Sequence, residues 1–86
     1  MASVEITNQA QKEFDDLPTV IKVRMKNIFE KLQKWPDVSG VKALTGNFAG
    51  YSRVKTGDYR AVFSIHPDRI IICRVGHRSK VYKKPI

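Results

Sequence analysis

Between Tyr51 and Tyr82 the chain reads YSRVKTGDYRAVFSIHPDRIIICRVGHRSKVY, alternating apolar with polar residues and punctuated at Gly57-Asp58 and His66-Pro67-Asp68. Alternation with period two marks a strand with one buried face, and a Gly-Asp pair between two such runs marks a tight hairpin. The segment is therefore expected to form a three-stranded antiparallel meander, about Tyr51–Thr56, Tyr59–Ile65 and Arg69–Gly76. Its register is constrained, because a slip of one residue exchanges the two faces of a strand. A two-residue turn at Gly57-Asp58 pairs Thr56 with Tyr59, Val54 with Ala61 and Ser52 with Phe63. On the opposite face it pairs Lys55 with Arg60 and Arg53 with Val62. A three-residue loop at His66-Pro67-Asp68 sets Phe63 against Ile71, Ala61 against Cys73, Tyr59 against Val75, Val62 against Ile72 and Arg60 against Arg74.

This register predicts a core face of Tyr59, Ala61, Phe63, Ile71, Cys73 and Val75. Lys55, Arg60 and Arg74 then form one row across the open face, with Arg53, Val62 and Ile72 in the row beside it. The other register would drive arginines into the core, where an unpaired charge is strongly destabilising. Like charges directly opposite one another also destabilise a sheet. A row of cations makes sense chiefly with an anion above it.

The first half of the chain reads differently. Val4–Ile6 is a short strand, and Thr7 or Asn8 caps a helix, with Asn8 and Gln11 at capping-box spacing. Ala10, Phe14 and Leu17 recur at i, i+4 and i+7 and give that helix one buried stripe. After Pro18 a second helix, about Thr19–Lys34, carries Ile21, Met25, Ile28, Phe29 and Leu32 on one side, leaving Lys22, Lys26 and Lys34 toward water. Trp35 and Pro36-Asp37 mark its end, and Asp37–Gly50 is loop with a small strand at Val41–Leu44. The expected architecture is α+β: an N-terminal strand and a helical hairpin packed on a small antiparallel sheet, one domain over residues 1–86.

Sixteen Lys and Arg against eight Asp and Glu give a formal charge of +8, which favours polyanionic partners. Cys73 is the lone cysteine and is expected to be a buried, inert thiol. No apolar run approaches the ~18 residues of a membrane span, and the N-terminus lacks signal-peptide architecture, so no membrane is expected and the cytoplasm is the expected location. There is no glycine-rich phosphate loop, no Cys/His metal spacing and no nucleophile elbow, so neither metal nor cofactor is expected. Asp58, Asp68 and His66 read as turn residues, whereas His77, beside Arg78 at the end of the last strand, is placed to touch a substrate. What remains is Arg, Lys and Tyr. Guanidinium groups hold phosphate oxygens bidentately and stabilise charge that grows in a phosphoryl transition state. RNA carries its own nucleophile, the 2′-hydroxyl, so orienting it in line with phosphorus is itself a route to cleavage. Tyr82 either serves that site, by stacking or proton transfer, or caps the core near the C-terminus.

On these residues the chain resembles the RelE/ParE superfamily of type II toxins, and within it the RelE branch of ribosome-dependent mRNA endonucleases. The resemblance spans essentially the whole chain. Its most specific parts are G-D-Y-R at Gly57–Arg60, V-G-H-R at Val75–Arg78 and V-Y at Val81–Tyr82. It implies that Arg60 binds and stabilises the scissile phosphate, and that Arg78 serves leaving-group protonation or charge stabilisation. It also implies that Tyr82 stacks on a messenger base and helps activate the 2′-hydroxyl. Arg53 stands where the family places one of its two active-site lysines and Tyr51 stands at the other, which keeps one charge but carries over no lysine-based acid–base scheme. His77 falls where relatives carry another basic residue and is expected to supply proton transfer. Lys55, Arg74 and Lys80 are expected to contact RNA backbone.

The implied action is binding in the ribosomal A site and cutting the exposed codon to leave a 2′,3′-cyclic phosphate. Lys22, Lys26 and Lys34 would then face ribosomal RNA. A cognate antitoxin would wrap the toxin with an acidic or amphipathic segment, and operator DNA would be met only through that complex. A second reading on the same fold is a ParE-type toxin that inhibits DNA gyrase through protein contacts, without chemistry. A third is a domain that only binds nucleic acid. Many relatives end in a helix after the tyrosine, whereas Lys83–Ile86 leave room for a stub at most.

Overall fold

The computed structural model describes residues 2–83. In chain order these form β1 (Ser3–Ile6), α1 (Asn8–Asp15), α2 (Thr19–Leu32), β2 (Lys42–Ala43), a 3-10 turn at Gly46–Phe48, β3 (Ser52–Thr56), β4 (Tyr59–Ile65) and β5 (Arg69–His77). Thr7 caps α1: its hydroxyl oxygen accepts the Ala10 amide at 3.1 Å, satisfying one of the helix's free donors. Ala10, Phe14 and Leu17 are buried as their spacing predicts. In α2, Met25 and Leu32 are fully buried, while Ile21, Ile28 and Phe29 pack half-buried around them. The Phe14 and Phe29 rings meet at 6.0 Å and join the two helices. Regular helix ends at Leu32, two residues short of the expected Lys34. The expected C-terminal stub, Lys83–Ile86, lies beyond Lys83 outside the described residues.

The sheet has five strands in the order β1-β5-β4-β3-β2. Only its β5-β4-β3-β2 part is antiparallel. β1 joins as an edge strand parallel to β5, with Ile6 beside Ile72, so the N-terminal strand lies within the sheet and makes it mixed. The β3–β4 register is the predicted one at all five pairs, Ser52–Phe63 through Thr56–Tyr59.

The β4–β5 register is not. Ile65 pairs with Ile70, Ser64 with Ile71 and Phe63 with Ile72; a bulge follows, after which Val62 pairs with Arg74, Ala61 with Val75, Arg60 with Gly76 and Tyr59 with His77. The physical reason lies in the run Ile70-Ile71-Ile72-Cys73, where both phases of a strand offer apolar residues to the core. The structure buries Ile70, Ile72 and Val75. That spacing of two and then three cannot be met on one face of an unbulged strand, so an extra residue is inserted between Ile72 and Arg74. Ile71 and Cys73, expected in the core, are half-exposed instead. Burial pushes the Cys73 thiol pKa up, against smaller opposing effects of hydrogen bonding to Ser64 and the Arg74 charge.

The shift also relocates Arg74. It lies opposite Val62, not Arg60, and its guanidinium donates to Glu13 of α1 at 3.1 Å with the arginine side chain only 12% exposed. The other carboxylate oxygen of Glu13 accepts the Val75 amide at 3.1 Å. β1 stops pairing at Ile6, so β5 would otherwise leave this amide bare along its outer edge; a single carboxylate from α1 satisfies it and the guanidinium together. The expected row of Lys55, Arg60 and Arg74 is therefore a pair plus Gly76.

Candidate functional site

The helices cover the face that carries Val54, Ala61, Phe63, Ile72 and Val75. Because side chains alternate along a strand, Arg53 and Lys55 of β3 and Arg60 and Val62 of β4 belong to the opposite face. Lys55 is directly opposite Arg60, as predicted. Lys42 of β2 is directly opposite Arg53, which adds a cation that sequence reasoning missed. Its only advance signal was the weak strand at Val41–Leu44, which by itself offered no register. Tyr51 precedes β3 in the same alternation as Arg53, and its carbonyl accepts the Leu44 amide at 2.9 Å, closing the link to β2.

At the end of this face lies the Gly57-Asp58 turn. Gly57 has φ of 57°, a left-handed conformation that an L side chain resists. Arg60 folds back over the turn: its NH1 donates to the Gly57 carbonyl at 2.9 Å and to that of Tyr59 at 3.3 Å. Arg78 reaches the turn from beyond β5. Its amide donates to the Asp58 carbonyl at 2.7 Å, and its Nε lies 3.6 Å from Asp58 Oδ1. The two guanidinium groups implied as catalytic thus each contact the same turn, Arg60 at Gly57 and Arg78 at Asp58. The Arg78–Asp58 pair is 65% and 64% exposed, so it is worth about 0–1 kcal/mol and yields readily to a stronger anion.

Among the described residues, carboxylates within 4.0 Å of a cation are Glu5 on Arg69, Glu13 on Arg74 and Asp58 on Arg78. Lys42, Arg53, Lys55 and Arg60 have none. This face is consequently a cluster of uncompensated cations on adjacent strands. Such a cluster can hold successive phosphates of a strand while the two arginines at the turn neutralise charge on one of them.

Tyr82 is half-buried, with its ring and that of Phe48 in a T-shaped contact at 5.5 Å. The contact ties the C-terminal turn to the 3-10 turn, so Phe48 is a supporting residue with no signal in the sequence pattern. His77 is placed differently from the expectation. It pairs with Tyr59, whose ring it meets edge-to-face at 5.4 Å, and Tyr59 packs against the helix-side core. His77 therefore belongs to the face opposite Arg53, Lys55 and Arg60. Lys80 is exposed and lies with His77, Glu13 and Asp16 in a cleft on that helix side. Lys22 and Lys26 sit on α2, also on the helix layer and away from the cation face.

The family described as ParE toxin of type II toxin-antitoxin system, parDE, matches residues 4–82 of this chain. The chain is similar to Toxin RelE3 of Methanocaldococcus jannaschii, at 31% identity over 74 residues that make up 83% of this chain and 84% of that one. Its fold is similar to the toxin-antitoxin complex RelBE2 of Mycobacterium tuberculosis, with a TM-score of 0.79 and 26% identity over 90% of this chain and 98% of that one. It is likewise similar to the RelB-RelE antitoxin-toxin complex of Methanococcus jannaschii, with a TM-score of 0.73 and 27% identity over 91% of this chain and 94% of that one.

Proposed function

The chain belongs to the RelE/ParE superfamily of type II toxins, and we propose that within it this protein is a ribosome-dependent mRNA endonuclease. The observation that carries the reading is the cation face of Lys42, Arg53, Lys55 and Arg60, which has no carboxylate within 4.0 Å among the described residues and ends at the turn that Arg60 and Arg78 both contact. Such a surface suits a single strand of message. Lys42, Arg53 and Lys55 hold flanking phosphates, and Arg60 and Arg78 leave Gly57 and Asp58 to grip the scissile one.

The reaction balances with groups the message itself supplies. The ribose 2′-oxygen forms a bond to the adjacent phosphorus as the bond to the 5′-oxygen breaks. The 2′-hydroxyl proton leaves, the 5′-oxygen gains one, and the products are a 2′,3′-cyclic phosphate and a 5′-hydroxyl. Arginine stabilises the extra negative charge on the phosphorane-like transition state, an effect worth about 3–4 kcal/mol for one well-placed donor. Tyr82, packed against Phe48, presents its remaining ring surface to a base. The ribosome supplies the rest of the geometry: it displays one codon in extended form, and the helix-side lysines Lys22, Lys26 and Lys34 suit its RNA.

The relatives whose structures were solved as toxin–antitoxin complexes support a cognate antitoxin as the partner here; operator DNA met through that complex and action in the cytoplasm belong to the same proposal. The test is primer extension on a translated message with and without ribosomes. Codon-phased cuts that need ribosomes and vanish in Arg60→Ala and Arg78→Ala support the reading. The family description names ParE, which favours a second reading, a ParE-type toxin; the resemblance implies that such a toxin inhibits gyrase through protein contacts. Gyrase-dependent DNA breaks with intact message would select that one.

A further inference from the structure

The nuclease reading leaves His77 without a place, since its ring belongs to the helix-side face. We infer that His77 is a positioning residue for Arg78: the lone pair on its Nδ1 holds the turn that presents the arginine. Three successive amides end on His77. Ser79 N–H donates to ring Nδ1 at 3.1 Å, and Lys80 and Val81 N–H both donate to its carbonyl at 2.9 Å. Arg78 sits between the two anchor points, and its own amide is spent on the Asp58 carbonyl at 2.7 Å. No backbone donor from Arg78 through Val81 is left idle, and Val81 is buried, its Cβ 3.8 Å from where a side chain on Gly76 would begin.

A backbone N–H is always a donor, so Nδ1 must be the acceptor and the neutral ring carries its proton on Nε2. Ser79 Oγ lies 2.8 Å from the same nitrogen and, in that tautomer, shares the nitrogen's single lone pair with the amide. The ring is steadied from its other side by Tyr59 at 5.4 Å. A side-chain acceptor on residue i receiving the N–H of residue i+2 is the arrangement Asn and Asp make in an Asx turn. His77 reproduces it with a ring nitrogen. This distinguishes positioning from proton transfer, because Asn places its oxygen where Nδ1 sits and cannot shuttle a proton, whereas Gln places its polar end nearer Nε2.

The inference deepens the nuclease reading and rests on it for its activity arm. The experiment compares His77→Asn, His77→Gln and His77→Ala with wild type, after melting curves establish that each folds. Ribosome-dependent cleavage should stay within about twofold of wild type in His77→Asn and fall about three- to tenfold in His77→Ala and His77→Gln, the range for one lost hydrogen bond. The loss should appear in the maximal rate and not in ribosome affinity. Nitrogen-15 spectra of the wild-type ring should show Nδ1 unprotonated. The Arg78 and Ser79 amide signals should move in His77→Ala and stay in His77→Asn. Equal loss in all three variants, or full rate in all three, would overturn the inference, as would a proton on Nδ1. If wild type cleaves nothing, the nuclease reading fails by itself, and the two amide signals still decide whether His77 holds the Arg78 turn.

Discussion

Replacing Glu13 by Ala should unfold this protein more readily than any change on the cation face. The carboxylate binds two groups at once: the Arg74 guanidinium, whose side chain is 12% exposed, and the Val75 amide, both at 3.1 Å. Breaking a well-buried ion pair costs about 3–5 kcal/mol. Glu13 is 23% exposed, so water partly replaces it, and about 2 kcal/mol is the better figure for the charge. The orphaned amide adds about 1 kcal/mol. The sum, about 3 kcal/mol, is a large part of the ~4–13 kcal/mol expected for a chain of this size. It corresponds to a fall in melting temperature of about 12–24 °C. Glu13→Gln keeps an acceptor and loses only the charge, so about 1 kcal/mol is expected.

The assay is urea unfolding followed by circular dichroism, with the midpoint compared at constant slope. A double-mutant cycle with Arg74→Met should return a coupling of at least about 1 kcal/mol. Arg74→Met should also leave RNA affinity and its salt dependence unchanged. The reasoning is refuted if Glu13→Ala lies within about 0.5 kcal/mol of wild type, a range typical of featureless surface changes. It is refuted equally if Arg74→Met loses RNA binding while keeping full stability, since Arg74 would then serve the message and not the fold.

Lys42→Ala and Lys55→Ala should each flatten the dependence of single-stranded RNA affinity on salt by about 0.7 in log–log slope, and Lys26→Ala should not; filter binding across a salt series reads this. Gly57→Ala should cost about 1–2 kcal/mol by forcing a left-handed φ on alanine, although open space awaits its methyl. Melting curves measure that cost, and a wild-type melting temperature would contradict it. Cys73 should react with thiol reagents at pH 8 more slowly than free cysteine and catch up in urea, because burial raises its pKa. A thiol whose pKa rises on folding favours the folded state at neutral pH and loses that contribution as the pH climbs through the folded value. Alkaline destabilisation should therefore be shallower in Cys73→Ala, as unfolding across a pH series would register.

Local chemistry carried much of this protein's architecture in plain view. A cap at Thr7 or Asn8, the stripe of Ala10, Phe14 and Leu17, and the Gly57-Asp58 turn each act through neighbours a few residues away, so spacing placed them to within a residue, and the structure chose Thr7 as the cap. A two-residue turn leaves only one way to pair β3 with β4, which put Lys55 against Arg60 and made a cation face legible. Tertiary packing decided what such rules leave degenerate. In Ile70-Ile71-Ile72 either phase offers apolar side chains, and only the helices above, with β1 alongside, select Ile70 and Ile72 and force the bulge that lets Val75 join them. That choice moved Arg74 from the face to Glu13, set His77 beside Tyr59 on the far side, and left Arg60 and Arg78 at a shared turn. Strand periodicity repeats every two residues and so cannot distinguish equivalent phases; volume to be filled on one side of a sheet can, because a slipped strand leaves a hole where a side chain should be.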